Sequence, residues 1–123
     1  MMPSNSKQTF RALSTQSTWE QVVEASSDRP VVIFKHSSAC PVSHRAQREM
    51  EQLSEGEDAP PVYRLVVQES RSLSNHIEQA LGVRHETPQV IVLKDGAPVW
   101  DASHGRVQAR EIQDVLASDA SMS

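Results

Sequence analysis

The sequence predicts an α/β protein, a mixed central sheet flanked by helices in the order β-α-β-α-β-α-β-β-α. Three observations carry that expectation. Short apolar runs rich in β-branched residues alternate with stretches whose apolar residues recur at helical spacing. An Asp95-Gly96 pair separates the last two extended runs, the strongest short signal for a hairpin. The 123 residues suffice for one domain that buries roughly two-thirds of its unfolded surface.

Residues 1–8 are polar, carry Pro3, and read as a flexible tail ahead of a domain over 9–118. Phe10 to Leu13 reads as a short strand. Ser17 and Thr18 are candidate N-caps, with Glu20 and Gln21 three residues on, and Trp19, Val22 and Val23 give that helix its apolar face. Ser26-Ser27-Asp28-Arg29-Pro30 breaks it. Val31-Val32-Ile33-Phe34, with three β-branched residues, predicts a buried strand over 31–36. Pro41 suits a first helical position, where its missing N–H costs nothing. Val42, Ala46, Met50 and Leu53 then share one face of a helix running to about Ser54, with Gly56 at its termination.

Residues 55–61 are acidic, contain two prolines and read as a surface loop. Val62 to Gln68 is the next strand, and Leu73, Ile77, Ala80 and Leu81 mark a helix closed by Gly82. Gln89 to Lys94 is a strand, Asp95-Gly96 its turn, and Ala97 to Asp101 the return. Ala109, Ile112, Val115 and Leu116 mark a last helix, and 119–123 read as a polar tail. Strands joined through helices are expected to run parallel by right-handed crossovers, with the hairpin adding an antiparallel edge.

A net charge of −4 argues against non-specific binding to nucleic acid or anionic membranes. No apolar run approaches the ~18 residues of a membrane span, and residues 1–20 hold no continuous apolar segment of a secretory signal. One cysteine makes no internal disulfide, so its redox chemistry needs a second molecule. These features together predict a cytoplasmic protein.

That cysteine, Cys40, lies between the buried strand and the helix that Pro41 opens. Free N–H groups and the macrodipole at such a helix mouth favour an anion, here a thiolate. The bland alternative is a small buried hydrophobe. Acidity alone does little for attack. A thiol with a pKa near ~6 is about 30-fold more ionised at pH 7 than one near ~8.5, but its intrinsic nucleophilicity is about tenfold lower, leaving roughly 2–3-fold. Most of the selectivity must come from residues that hold the disulfide in line. His36, Cys40 and His44 are spaced four apart, but the helix begins only at Pro41, so they share no helical face. With one cysteine and no tetrad of ligands, no metal site is expected.

Several stretches together resemble the thioredoxin fold, and within it the monothiol bacilliredoxins, the YtxJ-like group of the bacillithiol redox system. They are Phe34 through His44, including Ser37-Ser38-Ala39-Cys40-Pro41-Val42-Ser43; Val66 through Arg71 with Ser74-Asn75; and Gly82-Val83 through Gln89. Lys94-Asp95-Gly96 and Val99-Trp100 through Ser103-His104 extend the match.

The resemblance implies an oxidoreductase that removes bacillithiol from mixed disulfides on proteins. Cys40 is the nucleophile, Pro41 opens its helix, and Ser43 stands where a dithiol relative keeps a resolving cysteine. Thr87-Pro88 matches the cis-proline segment, which turns the Thr87 backbone toward substrate. Ser43 is also a candidate hydrogen-bond donor to the thiolate; the bland reading is a helix-start hydroxyl bonded to backbone. Bacillithiol carries a malate with two carboxylates, so Lys35, His36, Arg84 and His85 are candidate ligand contacts, each otherwise an ordinary solvated side chain. Arg71, Asn75 and His104 match family positions without a placement relative to Cys40. No bound cofactor is expected; bacillithiol is the co-substrate, and its disulfide returns to a separate flavin- and NADPH-dependent reductase. Two other readings stand beside this one: a carrier bridging an iron–sulfur cluster as monothiol glutaredoxins do, and a non-catalytic thioredoxin-like adaptor. A brown dimer on anaerobic purification marks the first, and normal function of a Cys40→Ala variant marks the second.

Overall fold

Every side chain of strand β2, Val31–His36, is buried, and the rest of the sheet is built outward from it. The computed structural model describes residues 10–56 and 58–122; the expected tail over 1–8 lies outside these. On one side of β2, strand β3 (Val62–Val66) runs parallel, with β1 (Arg11–Ala12) parallel beyond it. On the other side, β4 (Gln89–Lys94) runs antiparallel and pairs with antiparallel β5 (Ala97–Ser103). The sheet order is β1-β3-β2-β4-β5.

The mixed five-stranded sheet is the predicted one, with one correction of direction. A parallel crossover was expected at every helical connection. Yet β4, which follows the third helix, begins with Gln89 opposite Lys35, near the end of β2. The chain re-enters the sheet at the end it left, so β4 must run the other way. This brings the residues just before Gln89 beside the segment that leads to Cys40.

Helix α1 (Gln16–Ala25) and helix α3 (Arg71–Leu81) cover one face, where Trp19, Val22, Leu73 and Ile77 pack on Ile33, Leu65 and Ile91. Helix α2 (Pro41–Ser54) and helix α4 (Ala109–Met122) cover the other, where Ala46, Met50, Leu53 and Ile112 pack on Val32, Phe34, Val90 and Val92. Several boundaries moved. The N-cap of α1 is Thr15, in extended conformation, whose side chain accepts the Thr18 N–H, so Ser17 and Thr18 already lie inside the helix. Strand β3 stops at Val66, where residues 67–69 turn, and β5 continues to Ser103. Ala80 is exposed, and Ser74 takes a buried place on α3. Helix α4 runs through most of the expected C-terminal tail. Gly82 caps α3 at φ 70°, and Asp95 and Gly96 both take positive φ, the backbone that a type I′ hairpin demands.

Candidate active site

Cys40 is the N-cap of α2, extended at φ −109° and ψ 121°, with Pro41 in the first turn as predicted. Its thiol is free and half-buried. The Cys40 side chain makes no cap hydrogen bond to this helix end, which leaves the helix's positive pole beside the sulfur. The preceding turn is tied closely. The Cys40 N–H donates to the Ser37 carbonyl at 3.3 Å, and the His44 N–H donates to the Cys40 carbonyl at 3.2 Å. Gln68 holds two points of the same turn: its Nε2 donates to Ser37 Oγ at 2.8 Å and its Oε1 accepts the Ser38 N–H at 3.2 Å. The His44 ring donates through Nε2 to the Ser38 carbonyl at 2.9 Å.

Ser43 is fully buried, and its Oγ accepts the Ser37 N–H at 3.1 Å. The bond found is thus to backbone, and the residue holds the turn from beneath. His36 is only 4% exposed. It packs between the rings of Phe34 and His44, with centroids 5.4 and 5.3 Å away, on the α2 face of the sheet. Its Nδ1 is buried without a hydrogen-bond partner. Burial, and secondarily the Arg64 and His44 charges, hold its pKa below the ordinary imidazole value. His36 is therefore a buried neutral ring, where a ligand contact or, alternatively, an ordinary solvated side chain was expected.

The reason is the period of the strand. Lys35 and His36 are neighbours on β2, and successive strand side chains point to opposite faces. Lys35 turns to the α3 side, fully buried. Its Nζ lies 3.2 Å from His85 Nδ1 and donates to the Ser74 carbonyl at 3.4 Å. Burial pulls the lysine down to about 8, partly opposed by the Glu78 charge. His85 is held low as well, first by burial and then by the charge of Lys35. A charged ammonium has only protons to offer, so Nδ1 accepts and the neutral ring keeps its proton on Nε2. Ser74 Oγ approaches the same Nδ1 at 3.1 Å, and the His85 N–H donates to Glu78 Oε2 at 2.8 Å.

Above this network opens a cleft of about 320 Å³, lined by Ser37, Gln68, Arg71, Ser74, Asn75, His85 and Thr87, with Val67 as its apolar element. It joins three predicted neighbourhoods: the Cys40 turn through Ser37, the start of α3 through Arg71 and Asn75, and the proline segment through His85 and Thr87. The Thr87–Pro88 bond is cis, as the resemblance implied. The Pro88 carbonyl accepts the His104 N–H at 2.9 Å. His104 Nε2 lies 3.3 Å from Glu86, which also meets Arg84 at 3.9 Å. The Arg84 side chain is 90% exposed and does not line the cleft.

Gln68 lies in the stretch Val66 through Arg71 that carries the resemblance, but the sequence assigned it no role at the site. The signal was available in the parallel pairing of β2 and β3: with His36 opposite Val66, the same register carries position 68 toward position 38. Among the described residues no cluster of three or more His, Cys, Asp or Glu is arranged to hold a metal ion, and no helix is long and apolar enough to cross a membrane.

The family model described as monothiol bacilliredoxin BrxC matches residues 11–112. A solved structure described as a candidate oxidoreductase with a thioredoxin fold is 30% identical, with a TM-score of 0.80 over 89% of this chain and 95% of that one. The thioredoxin of Malassezia sympodialis superposes with a TM-score of 0.70 at 18% identity, covering 89% of each chain. That of Fasciola hepatica gives 0.71 at 15%, over 89% of this chain and 98% of its own. These last two speak to the fold alone.

Proposed function

The chain belongs to the monothiol bacilliredoxin family, and from that premise we propose that it is a thiol–disulfide oxidoreductase that removes bacillithiol from mixed disulfides on proteins. The single observation that carries the reading is the placement of its only cysteine: Cys40, half-exposed at the open mouth of α2, with buried Ser43 one turn further in.

The Cys40 thiolate attacks the bacillithiol sulfur of the client's mixed disulfide. A new S–S bond forms between Cys40 and bacillithiol, the old one breaks, and the client leaves as a thiolate that takes up a proton. Ser43 has no sulfur with which to displace the adduct. A second bacillithiol, as its thiolate, attacks the bacillithiol sulfur held on Cys40. Bacillithiol disulfide departs and the Cys40 thiolate is restored, so the electron pair that frees the client thiol comes from the incoming bacillithiol thiolate. Reduction of that disulfide falls to a separate flavin- and NADPH-dependent reductase.

The chain's own contribution is positional. Gln68, Ser43 and His44 fix the turn from Ser37 to Cys40, which restricts the directions from which a disulfide reaches the sulfur. Incubation with a bacillithiolated protein is expected to transfer one bacillithiol to Cys40, read by mass spectrometry, and Cys40→Ser to abolish it. A client released with no adduct ever detected on Cys40, or released equally by the serine variant, overturns the reading.

A further inference from the structure

The cleft beside the cysteine turn has an unusual electrical character for a protein of net charge −4. Among the described residues no Asp or Glu lines it, and the one charged lining residue is Arg71, in the first turn of α3. Directly behind the lining residues Ser74 and His85 lies the fully buried Lys35 ammonium. Among the described residues that ammonium forms no ion pair with a carboxylate. The carboxylate nearest in effect, Glu78, is engaged elsewhere, its Oε2 accepting the His85 backbone N–H. Burying a cation without an ion-pair partner is costly. A bound anion on the cleft side of Ser74 and His85 would compensate it.

The donors are arranged to suit. The Nδ1 of His85 faces Lys35, so its remaining N–H, on Nε2, is not used by that network. Arg71 brings a planar fork of N–H groups matched to a carboxylate, and Asn75 adds an amide. Ser70 gives α3 no side-chain cap, so the positive end of that helix lies at the same place. Ser37 connects the cleft to the cysteine turn, because it lines the cleft and its carbonyl accepts the Cys40 N–H. A ligand seated here lies against the turn that carries Cys40.

We propose that this cleft is the binding site for the carboxylate-bearing end of a small thiol, with Arg71, Asn75 and His85 as its direct contacts and Lys35 as a buried positive charge beneath them. The identity of that thiol as bacillithiol, whose malate carries two carboxylates, rests on the proposed function above. The cleft's selectivity for a carboxylate-bearing thiol does not. The site assigns Arg71 and Asn75 to ligand recognition and leaves His36 and Arg84 out of it. Acidity alone adds little to a thiolate's attack, so discrimination lies in a pocket that holds the non-reacting end of the thiol.

The test measures the second-order rate at which free thiols discharge the Cys40 adduct, for bacillithiol, glutathione and neutral 2-mercaptoethanol, with wild type, Arg71→Gln and Arg71→Lys. Loss of one charged hydrogen-bonding group is expected to lower the preference for bacillithiol over 2-mercaptoethanol about tenfold in Arg71→Gln, with partial recovery in Arg71→Lys. In parallel, reduced bacillithiol is titrated into the Cys40→Ser protein and backbone amide shifts are recorded by NMR. These are expected at Gln68, Arg71, Asn75 and Thr87. If glutathione, and not bacillithiol, shows both the preference and its loss, the cleft assignment stands and the bacillithiol reading falls. If neither carboxylate-bearing thiol loses its preference in Arg71→Gln, or the shifts gather around Glu86 and His104, the cleft assignment is overturned whatever the outcome at Cys40.

Discussion

Lys35 Nζ lies 3.2 Å from His85 Nδ1, a cation against an imidazole in a site that desolvates both. Burial lowers the lysine from 10.5 to about 8, so the folded state holds its proton less tightly than the unfolded chain. The penalty is fully present below the folded pKa. Between about pH 8 and 10.5 the unfolded state binds more protons, and stability rises with pH through that window as the penalty is relieved. Lys35→Met should remove the effect, raising stability at pH 7 by about 1–3 kcal/mol while weakening the discharge of the adduct by carboxylate-bearing thiols. Urea unfolding at pH 7 and pH 9 for both proteins measures it; a variant less stable than wild type at pH 7 would contradict the account.

Two rings contribute on the acid side. His36 and His85 both sit below the ordinary imidazole value of 6.5, each first through burial. The unfolded chain takes up protons near 6.5 that the folded one resists, so stability falls as pH drops through and below 6.5. His36→Phe keeps an aromatic between Phe34 and His44 and removes the unpartnered Nδ1. Its thermal midpoint should lose less than wild type's between pH 7 and pH 5, and an unchanged slope would place the acid sensitivity elsewhere.

Ser43→Cys would put a second thiol one turn from Cys40 in a helix start that already suits one. The expected result is conversion to a dithiol cycle. The bacillithiol adduct on Cys40 becomes short-lived, bacillithiol is released without an external thiol, and mass spectrometry finds a disulfide between Cys40 and the introduced thiol. The acceptor for the Ser37 N–H is weakened, which costs about 1 kcal/mol of stability. A persistent adduct in this variant would mean that position 43 cannot reach the reacting sulfur.

Gln68→Ala removes the two bonds by which Gln68 holds Ser37 and Ser38. Gln68 is exposed, so global stability should change by no more than about 1 kcal/mol. Amide exchange at Ser38 should quicken and transfer to Cys40 should slow. An unchanged transfer rate beside faster exchange would show that the turn's order does not matter to attack.

Much of this was legible in the sequence because it is local. The β-branched runs, the Pro41 start and the Asp95-Gly96 turn each fix their own backbone, and the order of elements follows. What was not legible depends on pairing between distant segments. The direction of β4 is decided by the sheet end at which Gln89 meets Lys35, which no local pattern encodes. The same pairing sets who lines the cleft. Lys35 and His36 were read as two similar basic residues at a strand exit, whereas the alternation of β2 sends one beneath the cleft and the other under α2. That alternation was available from the period of two, and its consequence became concrete only once both faces of the sheet had known occupants.

The Gln68 clamp has a last consequence, which concerns where the chain tolerates a change of length. The described residues 55–56 and 58–61 take no part in the clamp or the cleft lining, so inserting glycines there should alter little. The stretches between His36 and Cys40 and between Val66 and Arg71 are different. Gln68 stitches the two together, so they act as a pair of rulers measured against each other. Adding or deleting one residue in either would displace the sulfur relative to Arg71, even though each end of the sheet remained intact. The spacing between thiol and guanidinium is thus set by two loop lengths rather than by either side chain, and altering both rulers together is the route by which this scaffold would come to accept a longer or shorter thiol.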